Sequence, residues 1–127
     1  VAILNFAEGT RFAREKQIDQ ESPYRHLLRP RMGGVAFVLA SLGDQLEALL
    51  DATIAYSPHD VTLWDLLTGR IERIDVRVRR VEIPAEFLTG SIVEPGAPLA
   101  RFKRWIETLW REKDALLDDL RREVTSR

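Results

Sequence analysis

The stretch Ile74-Asp75-Val76-Arg77-Val78-Arg79 alternates apolar and charged residues without a break. Period two is the spacing of a β-strand, so it predicts a strand with one face buried and one in water, ended by Pro84. Toward the amino terminus, Val61 to Leu67 carries Leu63, Trp64, Leu66 and Leu67 and predicts a short helix stopped by Thr68-Gly69. Ala52 to Tyr56 predicts a second short strand, ended by Ser57-Pro58-His59-Asp60. Val35 to Leu50 places Phe37, Val38, Leu42, Leu46, Leu49 and Leu50 at helical spacing. Gly43-Asp44 should split that run into two shorter helices, and Gly33-Gly34 should break the chain ahead of it. Phe12 to Arg31, charged and holding Pro23 and Pro30, predicts a long loop with one helical turn, and Val1 to Phe6 reads as a short buried strand. In the other direction, Pro95-Gly96-Ala97-Pro98 opens a long amphipathic helix. Its apolar stripe runs Leu99, Phe102, Ile106, Leu109, Trp110, Leu116, Leu117, Leu120 and Val124. Strands alternating with helices predict an α/β fold, with a mixed or parallel sheet flanked by helices.

Composition narrows the chemistry. The 127 residues make one domain or most of one. Lysine and arginine number 19 against 20 acids, a net charge of -1, which argues against a general nucleic-acid binder. Without cysteine there is no disulfide scaffold, thiol nucleophile or zinc site with sulfur ligands, and two histidines nearly exclude a poly-histidine metal site. No apolar run reaches the 18 residues of a membrane span. The chain opens on Val1 and its single methionine is Met32, so residues 1–127 are expected to be a single partial domain of a longer protein.

The segment with chemical content is Phe6-Ala7-Glu8-Gly9-Thr10-Arg11, placed at a strand end, where α/β folds gather their ligands. Gly9 lets backbone approach a ligand closely, Thr10 offers a hydroxyl, and Arg11 offers a permanently charged planar fork suited to phosphate. Glu8 can brace such an arginine. This reads as an anion site; the plainer alternative is an ordinary turn with a surface Glu–Arg pair.

Phe-x-Glu-Gly-Thr-Arg resembles the third signature block of the glycerolipid acyltransferases, the lysophosphatidic acid acyltransferase family. Thr10-Arg11-Phe12 with Glu15-Lys16 resembles one branch, which includes lysocardiolipin acyltransferase. So do His26-Leu27-Leu28-Arg29-Pro30-Arg31 followed by Gly33-Gly34, Asp51-Ala52-Thr53-Ile54, Val78-Arg79-Arg80, and the helix Trp105 to Asp114. The resemblance implies that the fold is the carboxyl-terminal part of an acyltransferase-type domain. It implies transfer of an acyl group from acyl-CoA or acyl carrier protein to a lysophospholipid hydroxyl, with no bound cofactor and no metal. It implies that Glu8, Gly9, Thr10 and Arg11 hold the acceptor's phosphate, with Arg31 as a second candidate. It further implies a membrane-associated complete protein at the cytoplasmic face, the inner membrane in a bacterium.

The departures matter. The family's base is the histidine of an Asn-His-x-x-x-x-Asp motif, which this sequence lacks. His59 and Asp65 are wrongly spaced and lie downstream of the third block, so they are rejected as a catalytic pair, and no catalytic residue is assigned. Ala55-Tyr56-Ser57-Pro58 stands where the family's fourth block has valine–proline. The chain alone is therefore expected to be inactive. Plainer readings apply elsewhere: His26 as a structural hydrogen-bonding residue, Arg77, Arg79 and Arg80 as the wet face of a strand, Phe37 and Trp64 as core, and the Trp105–Trp110 helix as packed on the sheet rather than on a membrane. An unpaired Val1–Phe6 edge would favour self-association. The competing function is a non-catalytic module that docks on a partner or an anionic membrane.

Overall fold

The computed structural model describes residues 3–5, 17–18, 20–57 and 63–125. In chain order these form helix α1 (Met32–Leu42), a 3-10 turn (Gly43–Gln45), strand β1 (Leu49–Ser57), short helix α2 (Leu63–Leu67) and strand β2 (Arg73–Val81). Two more 3-10 turns (Ala85–Leu88 and Ser91–Val93) lead to the long helix α3 (Ala97–Thr125). Helices and strands are both present, and the long amphipathic terminal helix stands where its apolar stripe predicts it. Among the described residues the sheet is a two-stranded antiparallel ribbon rather than a mixed or parallel one, with Ala52 opposite Val78 and Ile54 opposite Val76.

Helix α3 organises the packing. Toward its amino end Phe102, Ile106 and Leu109 bury against Ala36 and Leu39 of α1, with Phe87 and Ile92 from the 3-10 turns. Phe87 meets Phe102 edge-on at 5.4 Å, a favoured arrangement for two aromatic quadrupoles. Toward its carboxyl end Leu117 and Leu120 bury with Ala55 of β1 and with Tyr24 and Leu27.

Several expectations are corrected. Residues 3–5 are irregular, not a buried strand; Ile3 and Leu4 are exposed and pair with neither strand of the ribbon. Gly33 and Gly34 do not break the chain but lie in the first turn of α1, where a Cβ on Gly33 would meet nothing within 4 Å. The helical reading of Val35 to Leu50 fails beyond Leu42, because Leu49 and Leu50 begin β1, which is therefore longer than Ala52 to Tyr56. Gly43 does mark the end of α1.

The strand around Ile74–Arg79 is present, but its faces are inverted. Ile74, Val76 and Val78 project outward beside Leu50, Ile54 and Tyr56, all of them exposed, Val78 to 60%. The opposite face carries Asp51, Thr53, Ala55, Asp75 and Arg79, and this face packs on α3. The reason lies in α3, whose second half offers Glu112 and Lys113 to the ribbon along with its leucines. Arg79 is accordingly not on a wet face: it donates to Asp51 at 3.0 Å and pairs with Glu112. Phe37 (68% exposed) and Trp64 (73%) are not core, since neither α1's outer side nor α2 has a described element against it.

Candidate functional site

The block Glu8-Gly9-Thr10-Arg11 lies outside the described residues, as do His59 and the Phe6 and Ala7 that precede the block. Arg31 is described. It is the N-cap residue of α1, extended (φ -86°, ψ 98°) and exposed, and its side chain does not cap the helix. Asn5, three residues before Glu8, lies beside this helix start: a Cβ placed on Gly34 would stand 3.5 Å from its Nδ2.

Residues 20–31 form a strap that lies on α3 and ends at Arg31. The carboxylate of Asp114 accepts from the backbone N–H of Arg25 at 3.0 Å and of His26 at 2.8 Å. Trp110 Nε1 donates to the Leu28 carbonyl at 2.9 Å, and Leu28 is fully buried. Buried backbone groups must find partners, and here a helix supplies them through side chains. His26 Nε2 lies 3.2 Å from Asp118 Oδ1, while its Nδ1 is buried without a partner among the described residues. The His26 contact is the main cause that holds the Asp118 carboxyl below its ordinary pKa, with Arg122 and Arg25 adding to it. His26 therefore fits the structural reading, one more tie between strap and helix.

The segment Glu112-Lys113-Asp114 explains itself here. Glu112 pairs with Arg79 of β2, Lys113 donates to Asp51 at 3.0 Å and to the Ala52 carbonyl of β1 at 2.7 Å, and Asp114 holds the strap. Three consecutive residues of one helix thus hold three different parts of the chain. Asp65 forms a loose pair with Arg70 at 3.8 Å.

Between strap and helix lies an open cavity of about 450 Å³, lined by Pro23, Tyr24, Arg29, Pro30, Met32, Glu107, Arg111 and Asp114. Arg31 sits between two lining residues without lining it. Burial, reinforced by Glu107, pushes the Tyr24 phenol above its ordinary pKa, so it is a neutral donor near pH 7. Tyr24, Arg29 and Arg111 were not singled out in the sequence. Arg29 carries one signal, its place inside the segment His26–Arg31; Tyr24 and Arg111 come together only through the fold. Among the described residues no acidic and histidine cluster could hold a metal, and no helix is long and apolar enough to cross a membrane.

No family model and no solved structure matches the chain. Curated proteins do. Human 1-acyl-sn-glycerol-3-phosphate acyltransferase delta is 31% identical over 132 residues, 97% of this chain and 32% of its own length. From Saccharomyces cerevisiae, an uncharacterized acyltransferase is 27% identical over 92% of this chain and 33% of its own length. The yeast 2-acyl-1-lysophosphatidylinositol acyltransferase is 25% identical over 91% and 32%. The chain spans about a third of the length of the curated relatives it matches. Proteins named as acyltransferases thus align along nearly all of it, which supports the glycerolipid acyltransferase family.

Proposed function

We propose that the chain is the part of a lysophospholipid acyltransferase that holds the acceptor's phosphate. Arg11 is the principal contact, Glu8 braces it, Gly9 and Thr10 shape the turn, and Arg31 supplies a second cation. In the reaction an acceptor hydroxyl attacks the thioester carbonyl carbon of acyl-CoA or acyl carrier protein. The hydroxyl proton passes to a general base, the C–S bond breaks, and the donor leaves as its thiol. A fixed guanidinium fork on the phosphate holds the hydroxyl in place for that attack.

The observation that carries this reading is the alignment of nearly the whole chain with proteins named for acyl transfer to lysolipids, joined to the Glu-Gly-Thr-Arg block in its sequence. One feature of the structure supports it. Asp114, Trp110 and His26 tie down the strap that ends at Arg31. A lipid substrate would bring the complete protein to a membrane surface, for which we propose the cytoplasmic face.

In the complete protein, Arg11→Ala should raise the acceptor KM about ten- to a hundredfold, the worth of a charge-assisted hydrogen bond, and leave the donor KM alone. An unchanged acceptor KM removes the role of Arg11. The 127-residue chain, without an Asn-His-x-x-x-x-Asp base, should transfer no acyl group from acyl-CoA to lysophosphatidate; measurable transfer overturns that expectation.

A further inference from the structure

The strap is held more firmly than a connection between two elements requires. Residues 20–31 contain no helix or strand, yet their backbone groups are bonded one after another. Gln17 Nε2 donates to the Tyr24 and Arg25 carbonyls, Ser22 Oγ to the Leu27 carbonyl at 2.7 Å, and the Arg29 N–H to Gln20 at 3.3 Å. Asp114 accepts the N–H groups of Arg25 and His26, and Trp110 donates to the Leu28 carbonyl. Glu21 sits at φ 50°, in the left-handed region that costs a non-glycine residue free energy unless its surroundings enforce it. Backbone constrained in this way has lost its freedom before any ligand arrives.

What the strap presents is its last residue. Pro30 restricts the backbone on one side of Arg31, and α1 begins on the other. The Arg31 side chain is exposed, and among the described residues it has no carboxylate partner. Arg73, Arg79 and Arg101, by contrast, are matched to Asp75, Asp51 and Glu86. A fixed backbone that ends in an unmatched guanidinium is suited to offering that charge to a ligand. Asp114 is the tie best placed to set its position. Its charged oxygens take two backbone N–H groups, and Glu112 and Lys113 beside it fasten the same turn of α3 to the hairpin. The anchor is thus itself anchored. His26 contributes less, because the carboxylate it meets on Asp118 is shared with Arg25 and Arg122.

We propose that Asp114 is a positioning residue for acceptor binding: through the backbone of the strap it holds Arg31 where its guanidinium meets the acceptor. The inference rests on the role proposed above for Arg31 and adds the residue that fixes it. Asp114 acts on the strap, not on the substrate. Asp114→Asn is the discriminating change. An amide offers one acceptor oxygen and turns an NH₂ donor toward the other backbone N–H, so the strap loses one tie at nearly constant volume.

The test is steady-state kinetics of the complete protein, with acceptor and donor varied separately. Arg31→Ala should raise the acceptor KM about tenfold. Asp114→Asn should raise it severalfold, and Asp114→Ala by as much as Arg31→Ala does. The donor KM and kcat should stay within about twofold of the parent's, whereas a mere loss of folded enzyme would lower kcat and leave both KM values in place. Asp114→Asn, which keeps the volume, carries the comparison if the alanine variant does not fold. The double variant decides the matter. In an Arg31→Ala background, Asp114→Asn should add no further rise in acceptor KM, because the group it positions is gone. Independent, multiplicative effects overturn the inference. So does an acceptor KM that Arg31→Ala raises and Asp114→Asn leaves unchanged; the Arg31 contact then stands without its positioning residue. If Arg31→Ala leaves the acceptor KM unchanged, the Arg31 contact fails and the role of Asp114 fails with it, whatever Asp114→Asn does.

Discussion

Gly43 stands at the end of α1 because nothing larger fits there. A Cβ added there would lie 2.3 Å from the carbonyl oxygen of Leu88, and that oxygen belongs to backbone that cannot swing aside. Gly43→Ala should therefore cost about 1–3 kcal/mol through forced backbone displacement, read as a lower urea midpoint with an unchanged slope. An unchanged midpoint would mean that the two segments part at little cost. The sequence predicts a break at Gly43, and α1 does end there, although the glycine's φ of -38° is ordinary helical backbone. Single residues were legible in type more than in partner. Charges alternating along its strand predict a solvated Arg79, whereas what ties it down, Asp51 and Glu112, comes from β1 and α3. The apolar character of Phe37 and Trp64 predicts core positions, yet side-chain chemistry does not say whether an element stands opposite.

Among elements, the ties between α3 and the hairpin converge on Asp51. One carboxylate oxygen takes Lys113 and the other Arg79, and the Asp51 side chain is only 10% exposed. Asp51→Ala would leave two half-buried cations facing each other across the gap. Its expected cost is about 3 kcal/mol, because removing one partner from a largely desolvated pair strands the others. A double-mutant cycle with Lys113→Met should recover part of that loss, and strict additivity of the two changes would refute the coupling. Element type was most legible where period and length agreed, as in α3 and β2. It failed between Leu42 and Leu50, where Leu46, Leu49 and Leu50 suit a helical stripe and a strand start equally well and only the pairing of Leu49 with Val81 decides. Of the candidate site, the strap's end at Arg31 was visible as a motif. Tyr24 and Arg111 were not, because 87 positions separate them and nothing local marks the approach.

For the molecule as a whole, the hairpin's outer face sets its behaviour in solution. Leu50, Ile54, Tyr56, Ile74, Val76 and Val78 stand together and exposed, a larger apolar patch than scattered surface residues make. Val76→Lys should leave the thermal midpoint nearly unchanged, since the side chain is half exposed, and should reduce concentration-dependent association in sedimentation velocity. Association that persists undiminished would place the adhesive surface elsewhere.

The two apolar clusters both rest on α3, and β1 touches each of them, with Leu49 against the first and Ala55 in the second. Phe102 and Ile106 anchor the first, Leu117 and Leu120 the second, about three to four turns further along. A molecule built this way can let go at one end while holding at the other. Since the strap that carries Tyr24 and Leu27 belongs to the second cluster, fraying of the helix's last turns would slacken the mouth of the cavity while α1 and its aromatic neighbours stayed in place.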